Sequence, residues 1–410
     1  MSFERREFLK LIGSVPIAGA VASEAASAAS PAAGVPAFGF ADDSVPMNAA
    51  NLCPMPVAVT EAQARYQAAL ERSLSTASRK RIEAMKEDAR TRIAALLGTS
   101  ADELAIVRNT SEANNAIVQG VPLSEGDEVV LWDQNHPSNG LAWDVRALRT
   151  GATVRRFSVP ARPGSVDELV DAFLASLSTR TRVLSFTHIS NVTGLATPAG
   201  EIIAELRRRH PDVHVHIDGA QTWGAVDVNL KELDCDSFSA SAHKWFMGPR
   251  ETGLLYVRAE RCAAIWPTIV SIPWFGTIEE APKLARKFDA LGQRDDAAAA
   301  ALVDAVAIHE QLTPAGVEAR SKAIADRLRE GYRELGVDMV STDHPEFTSS
   351  VVIARAPAER AAALVGTVFE EAGVQGAPTG GLRMSPHIYN TEAHVDRVLE
   401  SVARHRDQLG

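Results

Sequence analysis

Cysteine is scarce. Only Cys53, Cys235 and Cys262 occur in 410 residues, at no regular spacing. That excludes a disulfide framework and leaves no cysteine-built zinc site. Positive charge is also short, with 42 Lys and Arg against 52 Asp and Glu and a net charge of −10. A nucleic-acid partner is therefore not expected. No Gly-x-Gly-x-x-Gly turn follows an early strand, which disfavours a nicotinamide-dependent enzyme. Internal repeats are absent. What the chain has is apolar bulk, 46% of its residues, enough for more than one domain.

The first 30 residues do not read as part of the fold. Arg5-Arg6-Glu7-Phe8-Leu9-Lys10 precedes an apolar stretch from Leu11 to Ala22, and Ala26-Ser27-Ala28 offers a cleavage site. The apolar stretch is too short for a stable membrane span. The segment resembles a twin-arginine export signal, although a chance basic helix start has the same composition. The resemblance implies export in the folded state, a twin-arginine translocase as transient partner, and a periplasmic or otherwise exported protein.

Residues 31–62 read as an N-terminal arm, 63–290 as a large domain and 291–410 as a small C-terminal α/β domain. Residues 57–97 are helical in pattern. Strands are expected at 103–108, 128–132, 153–159, 182–187, 213–217, 237–240 and 253–257. Helices fit between them at 112–119, 138–150, 166–177 and 198–209. This alternation predicts an α/β fold with a mostly parallel central sheet covered by helices. Two further helices (295–312, 317–335) and strands near 349–354 and 382 follow.

Two runs carry the chemistry, His216-Ile217-Asp218-Gly219-Ala220-Gln221 and Ser241-Ala242-His243-Lys244-Trp245. Asp218 ends a strand at its carboxyl end, where open α/β sheets bind ligands. Lys244 lies among Phe238, Trp245, Phe246 and Met247, company that desolvates an amine and lowers its pKa. A lysine able to form an imine and a carboxylate able to hold a pyridine nitrogen protonated suit pyridoxal 5′-phosphate (PLP). Asp218 could instead cap a helix, and Lys244 could pair with a buried acid.

Supporting residues have plain alternatives as well. Thr110 and Ser111 open a helix, where N–H groups and the dipole favour phosphate, but they also suit an ordinary cap. His136 follows a strand and could stack on a flat heterocycle or face solvent. Asn191 and Gln221 could donate to a phenolic oxygen, and an Asx-turn is open to Asn191. Arg383 could grip an α-carboxylate or form a surface ion pair.

From about residue 47 to 405 the chain resembles the class V aminotransferase family of PLP fold type I. The resemblance rests on Thr187-His188-Ile189-Ser190-Asn191, Asp218-Gly219-Ala220-Gln221 and Ser241-Ala242-His243-Lys244. It implies that Lys244 binds the cofactor aldehyde and moves the substrate proton. Asp218 would face the pyridine nitrogen and His136 would stack on the ring. Asn191 and Gln221 would reach the phenolic oxygen. Thr110, Ser111, Ser241 and His243 would hold the phosphate, and Arg383 the substrate carboxylate. Asn48 to Asn51 would line the substrate pocket. Family members often place a threonine near Gly292-Gln293-Arg294-Asp295 to reach the partner subunit's phosphate; here Gln293 stands there, with an amide that can donate. A homodimer is implied by the same resemblance.

Within the family the chain is similar to the isopenicillin N epimerase-like branch, in Arg383-Met384-Ser385-Pro386-His387-Ile388-Tyr389-Asn390-Thr391 and in His243-Lys244-Trp245 with Gly248-Pro249-Arg250. Cysteine desulfurases carry a nucleophilic cysteine on the loop before the carboxylate-binding arginine. Here Gly373 to Gly381 contains none, which disfavours persulfide transfer. The expected activity is transaminase-like or lyase-like chemistry at the α-carbon of a free or peptide-linked amino acid. Epimerisation is the alternative within the class, and a noncatalytic periplasmic binder is the alternative outside it.

Overall fold

Seven segments with buried, apolar or alternating sequence pair into one sheet in the computed structural model, which describes residues 34–271 and 282–409. The expected export signal over 1–30 lies outside those residues. In chain order the strands are β1 (Leu104–Val107), β2 (Glu128–Trp132), β3 (Thr153–Phe157), β4 (Thr181–Thr187), β5 (His214–Asp218), β6 (Ser237–Ser241) and β7 (Gly253–Val257). Their spatial order is β1-β7-β6-β5-β4-β2-β3. Only β7 is reversed, running antiparallel to β6 and β1. β3 is an edge strand with partly exposed residues, whereas the other six are buried except at Arg182 of β4.

Helices fill the crossovers that parallel pairing demands: α3 (Thr110–Gly120), α4 (Pro137–Thr150), α5 (Val166–Ala175) and α6 (Ala199–Arg209). The helical stretch expected over 57–97 is two helices, α1 (Val57–Arg72) and α2 (Thr76–Leu96). The break falls at Ser73-Leu74-Ser75, where the Ser75 hydroxyl accepts from the Ser78 N–H and starts α2.

α7 (Asp296–Leu312) packs on α1 and α2, and its Leu302, Ala305 and Val306 join the apolar cluster beneath the sheet. A second cluster gathers Ile324 and Leu328 of α8 (Pro314–Glu334), Val368 of α9 (Ala358–Ala372) and Val395 of α10 (Glu392–Arg404). It also takes in the antiparallel strands β8 (Val352–Ala354) and β9 (Leu382–Met384). The arm belongs to it too. Val45–Pro46 pairs in parallel with Val374–Gln375, Val45 and Met47 are fully buried, and Asn48 bridges to Ser385. Among the described residues no helix is long and apolar enough to cross a membrane.

Candidate active site

Because β1, β2, β4, β5 and β6 share one direction, their carboxyl ends lie along one edge of the sheet. The sequence places Asn109 to Ser111, His136, His188 to Asn191, Asp218 and Lys244 at or just beyond those ends. One edge therefore collects residues that are far apart in the chain.

The Lys244 loop is pinned from behind. Trp223, Phe246 and His309 form a stack, with ring centroids 3.9 Å and 4.3 Å apart. His309 Nε2 lies 2.9 Å from the Phe246 carbonyl oxygen, and His387 Nε2 lies 2.7 Å from that of Trp245. Gly219 permits the tight turn after β5, since a Cβ there would lie 1.9 Å from the Phe238 ring. Lys244 itself is half-buried, and its amine has no hydrogen bond or ion pair among the described residues. Burial pushes its pKa below the ordinary lysine value; the Asp218 carboxylate raises it again and the Arg383 guanidinium lowers it.

Asp218 is 1% exposed. Its Oδ1 accepts from the Ala220 N–H at 3.1 Å and its Oδ2 from Asn114 Nδ2 at 3.0 Å. Each oxygen keeps lone pairs for a further donor. The reading of the sequence missed Asn114. It sits on α3, fully buried, and an asparagine inside a helix carries no signal in sequence unless the strand it faces is already known.

At the start of α3 the Asn109 side chain accepts from the Glu112 N–H. The Ser241 hydroxyl accepts from the Thr110 N–H at 2.7 Å and lies 2.6 Å from the Thr110 hydroxyl. The Ser111 N–H has no partner among the described residues. One helix-terminal donor thus stays open at Ser111, which is exposed; His243 is half-buried. Burial, Lys244 and Arg250 together push the His243 imidazole down to about 4.

His136 caps α4. Its Nδ1 accepts from the Ser138 N–H at 3.2 Å and lies 2.8 Å from the Ser138 hydroxyl. Its pKa is lowered, first by burial and then by the Lys244 charge, with Asp218 opposing. All three are therefore within electrostatic reach of one another. Gln221 spans two elements, donating to the Ala50 carbonyl at 2.9 Å and accepting from Trp245 Nε1 at 2.7 Å. One of its amide hydrogens remains. The Asn191 side chain is unpaired among the described residues, while its carbonyl accepts from Arg383 Nη1 at 3.1 Å.

Arg383 is 3% exposed and meets no carboxylate. Its Nη2 donates to Asn48 Oδ1 at 3.3 Å, and its Nε is buried without an acceptor. Burial lowers its pKa to about 10. Asn51 is exposed and bonds Asn48 through its backbone only. Gln293 lies before α7 in a surface cleft with Arg79, Lys80 and Lys86, and makes no hydrogen bond among the described residues. Cys53 is buried 3.4 Å from the Tyr389 hydroxyl, and burial outweighs that bond to push its thiol up to about 12.

PLP carries an aldehyde, a basic ring nitrogen and a dianionic phosphate. The unpaired Lys244 amine, the Asp218 carboxylate and the open start of α3 complement these in turn, so the residues fit the cofactor. Fold and site define a PLP-dependent enzyme of fold type I.

Comparison with known proteins gives the family. The aminotransferase class-V model matches residues 48–398, and the chain belongs to that family. It is 28% identical over 375 residues to the isopenicillin N epimerase of Streptomyces clavuligerus, covering 87% of this chain and 94% of that one. To the isopenicillin N epimerase of Amycolatopsis lactamdurans it is 32% identical, covering 77% and 83%. A cysteine desulfurase from Escherichia coli shares the fold with a TM-score of 0.77 at 23% identity, over 90% of this chain and 96% of that one.

Proposed function

We propose that the protein removes the α-proton of an amino acid, or of an amino-acid moiety in a larger molecule such as a peptide, and completes a transaminase-like or lyase-like reaction. Arg383 carries this reading. A buried guanidinium with no acid and an unpaired Nε lies close enough to lower the Lys244 pKa. A substrate carboxylate there would gain charge-assisted, bidentate bonds.

When bound, PLP supplies the aldehyde that takes up the amine and a protonated ring that withdraws electrons from the substrate α-carbon. The protein supplies the rest. Arg383 and Asn48 fix the carboxylate end, so the α-carbon is held beside Lys244. Lys244, whose pKa desolvation lowers, takes the proton. Asp218 would keep the ring nitrogen charged; opposite unit charges ~4 Å apart at an effective dielectric near 20 attract by ~4 kcal/mol. His136 would flank the ring, Asn191 and the spare amide hydrogen of Gln221 would reach its oxygen, and Thr110, Ser111, Ser241 and His243 would hold the phosphate.

Epimerisation is the second reading. Its support is that both isopenicillin N epimerases are matched over most of their own length. It needs a proton donor on the face opposite Lys244. Persulfide chemistry is not favoured, because the 373–381 loop has no cysteine and Cys53 is a buried thiol.

The deciding experiment is a panel of free and peptide-linked amino acids incubated with holoenzyme in deuterated water. Deuterium at the α-carbon of recovered substrate, together with a keto or eliminated product, supports the main reading. Deuterium with inverted configuration supports the second. No exchange with any carboxylate-bearing substrate refutes both.

We also propose a homodimer and export by the twin-arginine route, on the strength of the family and of Arg5-Arg6. Fractionation of an Arg5→Lys, Arg6→Lys variant tests the route, and normal export of that variant rejects it.

A further inference from the structure

β5 and β6 carry matched alternations. His214, His216 and Asp218 share one face of β5, with Val215 and Ile217 on the other. Ser237, Ser239 and Ser241 share the same face of β6, with Phe238 and Ala240 on the other. The apolar residues enter the main core. The register sets His216 beside Ser237 and Asp218 beside Ser239. All six polar side chains are buried, and Asn114 of α3 lies against them. Such a layer is costly unless each member is bonded.

The bonding has a direction. Asn114 Nδ2 donates to Asp218, so its Oδ1 faces the other way, toward the Ser239 hydroxyl and His216 Nε2, the latter at 3.0 Å. The reverse amide orientation would set oxygen against the carboxylate. A carbonyl oxygen only accepts, so His216 carries its proton on Nε2 and its Nδ1 is bare. Nδ1 lies 2.8 Å from the Ser237 hydroxyl, which must donate to it. That uses the hydroxyl's single proton, so His214 Nε2, also 2.8 Å away, donates to Ser237. Donation runs one way, from His214 through Ser237, His216 and Asn114 to Asp218. Burial pushes the His216 imidazole down to about 3 and that of His214 down to about 4, so both stay neutral.

We propose that His216, acting through Asn114, is a positioning residue for the reaction: the one-way chain fixes the Asp218 carboxylate in a single orientation, with lone pairs left for the cofactor ring nitrogen. This rests on the reading of Asp218 as that nitrogen's partner. His216 touches neither cofactor nor substrate. It sets how the group that does so is aimed.

The test has two readouts besides activity. In histidine-labelled protein, nitrogen NMR reports the tautomer directly, with His216 assigned from the signals lost in His216→Gln. A bare Nδ1 and a protonated Nε2 are expected, and the opposite tautomer overturns the proposal.

The second readout is the pH midpoint of the visible band of the holoenzyme. The His216→Gln amide reaches the Nε2 position and can still donate to Asn114; that of His216→Asn reaches only the Nδ1 position. A ring nitrogen less firmly protonated withdraws less, which makes the nitrogen joining Lys244 to the cofactor more basic. His216→Asn should raise the midpoint by about half a pH unit or more, and His216→Gln should leave it unmoved within about 0.2. Equal shifts in both variants, or none in either, overturn the proposal. Borohydride trapping in the same samples separates the failures. A missing adduct on Lys244 fails the reading of the site itself, whereas an adduct with an unmoved midpoint fails the relay alone.

Discussion

His387 donates from Nε2 to the carbonyl oxygen of Trp245, the residue after Lys244, across 2.7 Å. Its Nδ1 accepts from the Ile388 N–H at 2.8 Å. A residue 143 positions after Lys244 thus holds the Lys244 loop by its backbone, and burial keeps the imidazole neutral, pushed down to about 3. Replacing it by leucine leaves a buried carbonyl unpaired, so a loss of about 1–3 kcal/mol is expected in urea unfolding at pH 7. The cost is pH-dependent. The unfolded chain takes up a proton below the ordinary value of 6.5 and the folded one does not, so His387 opposes folding increasingly as pH falls from 6.5 toward 3. The gap between parent and His387→Leu should narrow by about 2 kcal/mol between pH 7 and pH 5. A constant gap would show that the imidazole is not held neutral.

Lys244 should react as an amine of depressed pKa. When apoenzyme is mixed with PLP across a pH series, the rate at which the visible band appears should reach half its maximum below 10.5, the ordinary lysine value. A midpoint at or above that value would contradict the desolvation argued for this side chain.

Arg383→Lys keeps the charge and loses the fork. For an α-amino acid substrate, kcat/KM should fall roughly 10–100-fold, the worth of one or two charged hydrogen bonds. The decarboxylated amine of the same substrate should react at similar rates with both enzymes. If the amine loses as much, Arg383 supports the fold and does not read the carboxylate.

Cys53→Ala should retain turnover within about two-fold, because a thiol held near 12 and bonded to Tyr389 is not a nucleophile at neutral pH. Persulfide on Cys53 after incubation with cysteine, found by mass spectrometry, would reopen desulfuration.

The sheet was legible because its strands are buried runs or alternations bounded by turn residues, and the bounds of all seven strands and of the four crossover helices fall within two residues of expectation. Asp218 and Lys244 were legible because an acid and an amine stand where apolar residues predominate. The break between α1 and α2 was not, since Ser73-Leu74-Ser75 has no glycine or proline, and only the capping bond of Ser75 reveals it. The pairing of Val45–Pro46 with Val374–Gln375 is two residues long, too short for any periodic signal. Asn114, His309 and His387 escaped for a shared reason. Their roles lie in which carbonyl or carboxylate they meet, and tertiary packing decides that.

The arm has a consequence for the order in which the molecule is made. Ala50 bonds Ser385 across 335 positions, and Asn48 receives Arg383. Closing so distant a contact carries a loop-closure cost and cannot begin until residue 385 has been made. The pocket that would read the substrate carboxylate therefore closes only after the whole central sheet has been synthesised, although the arm that forms one side of it is made before the sheet.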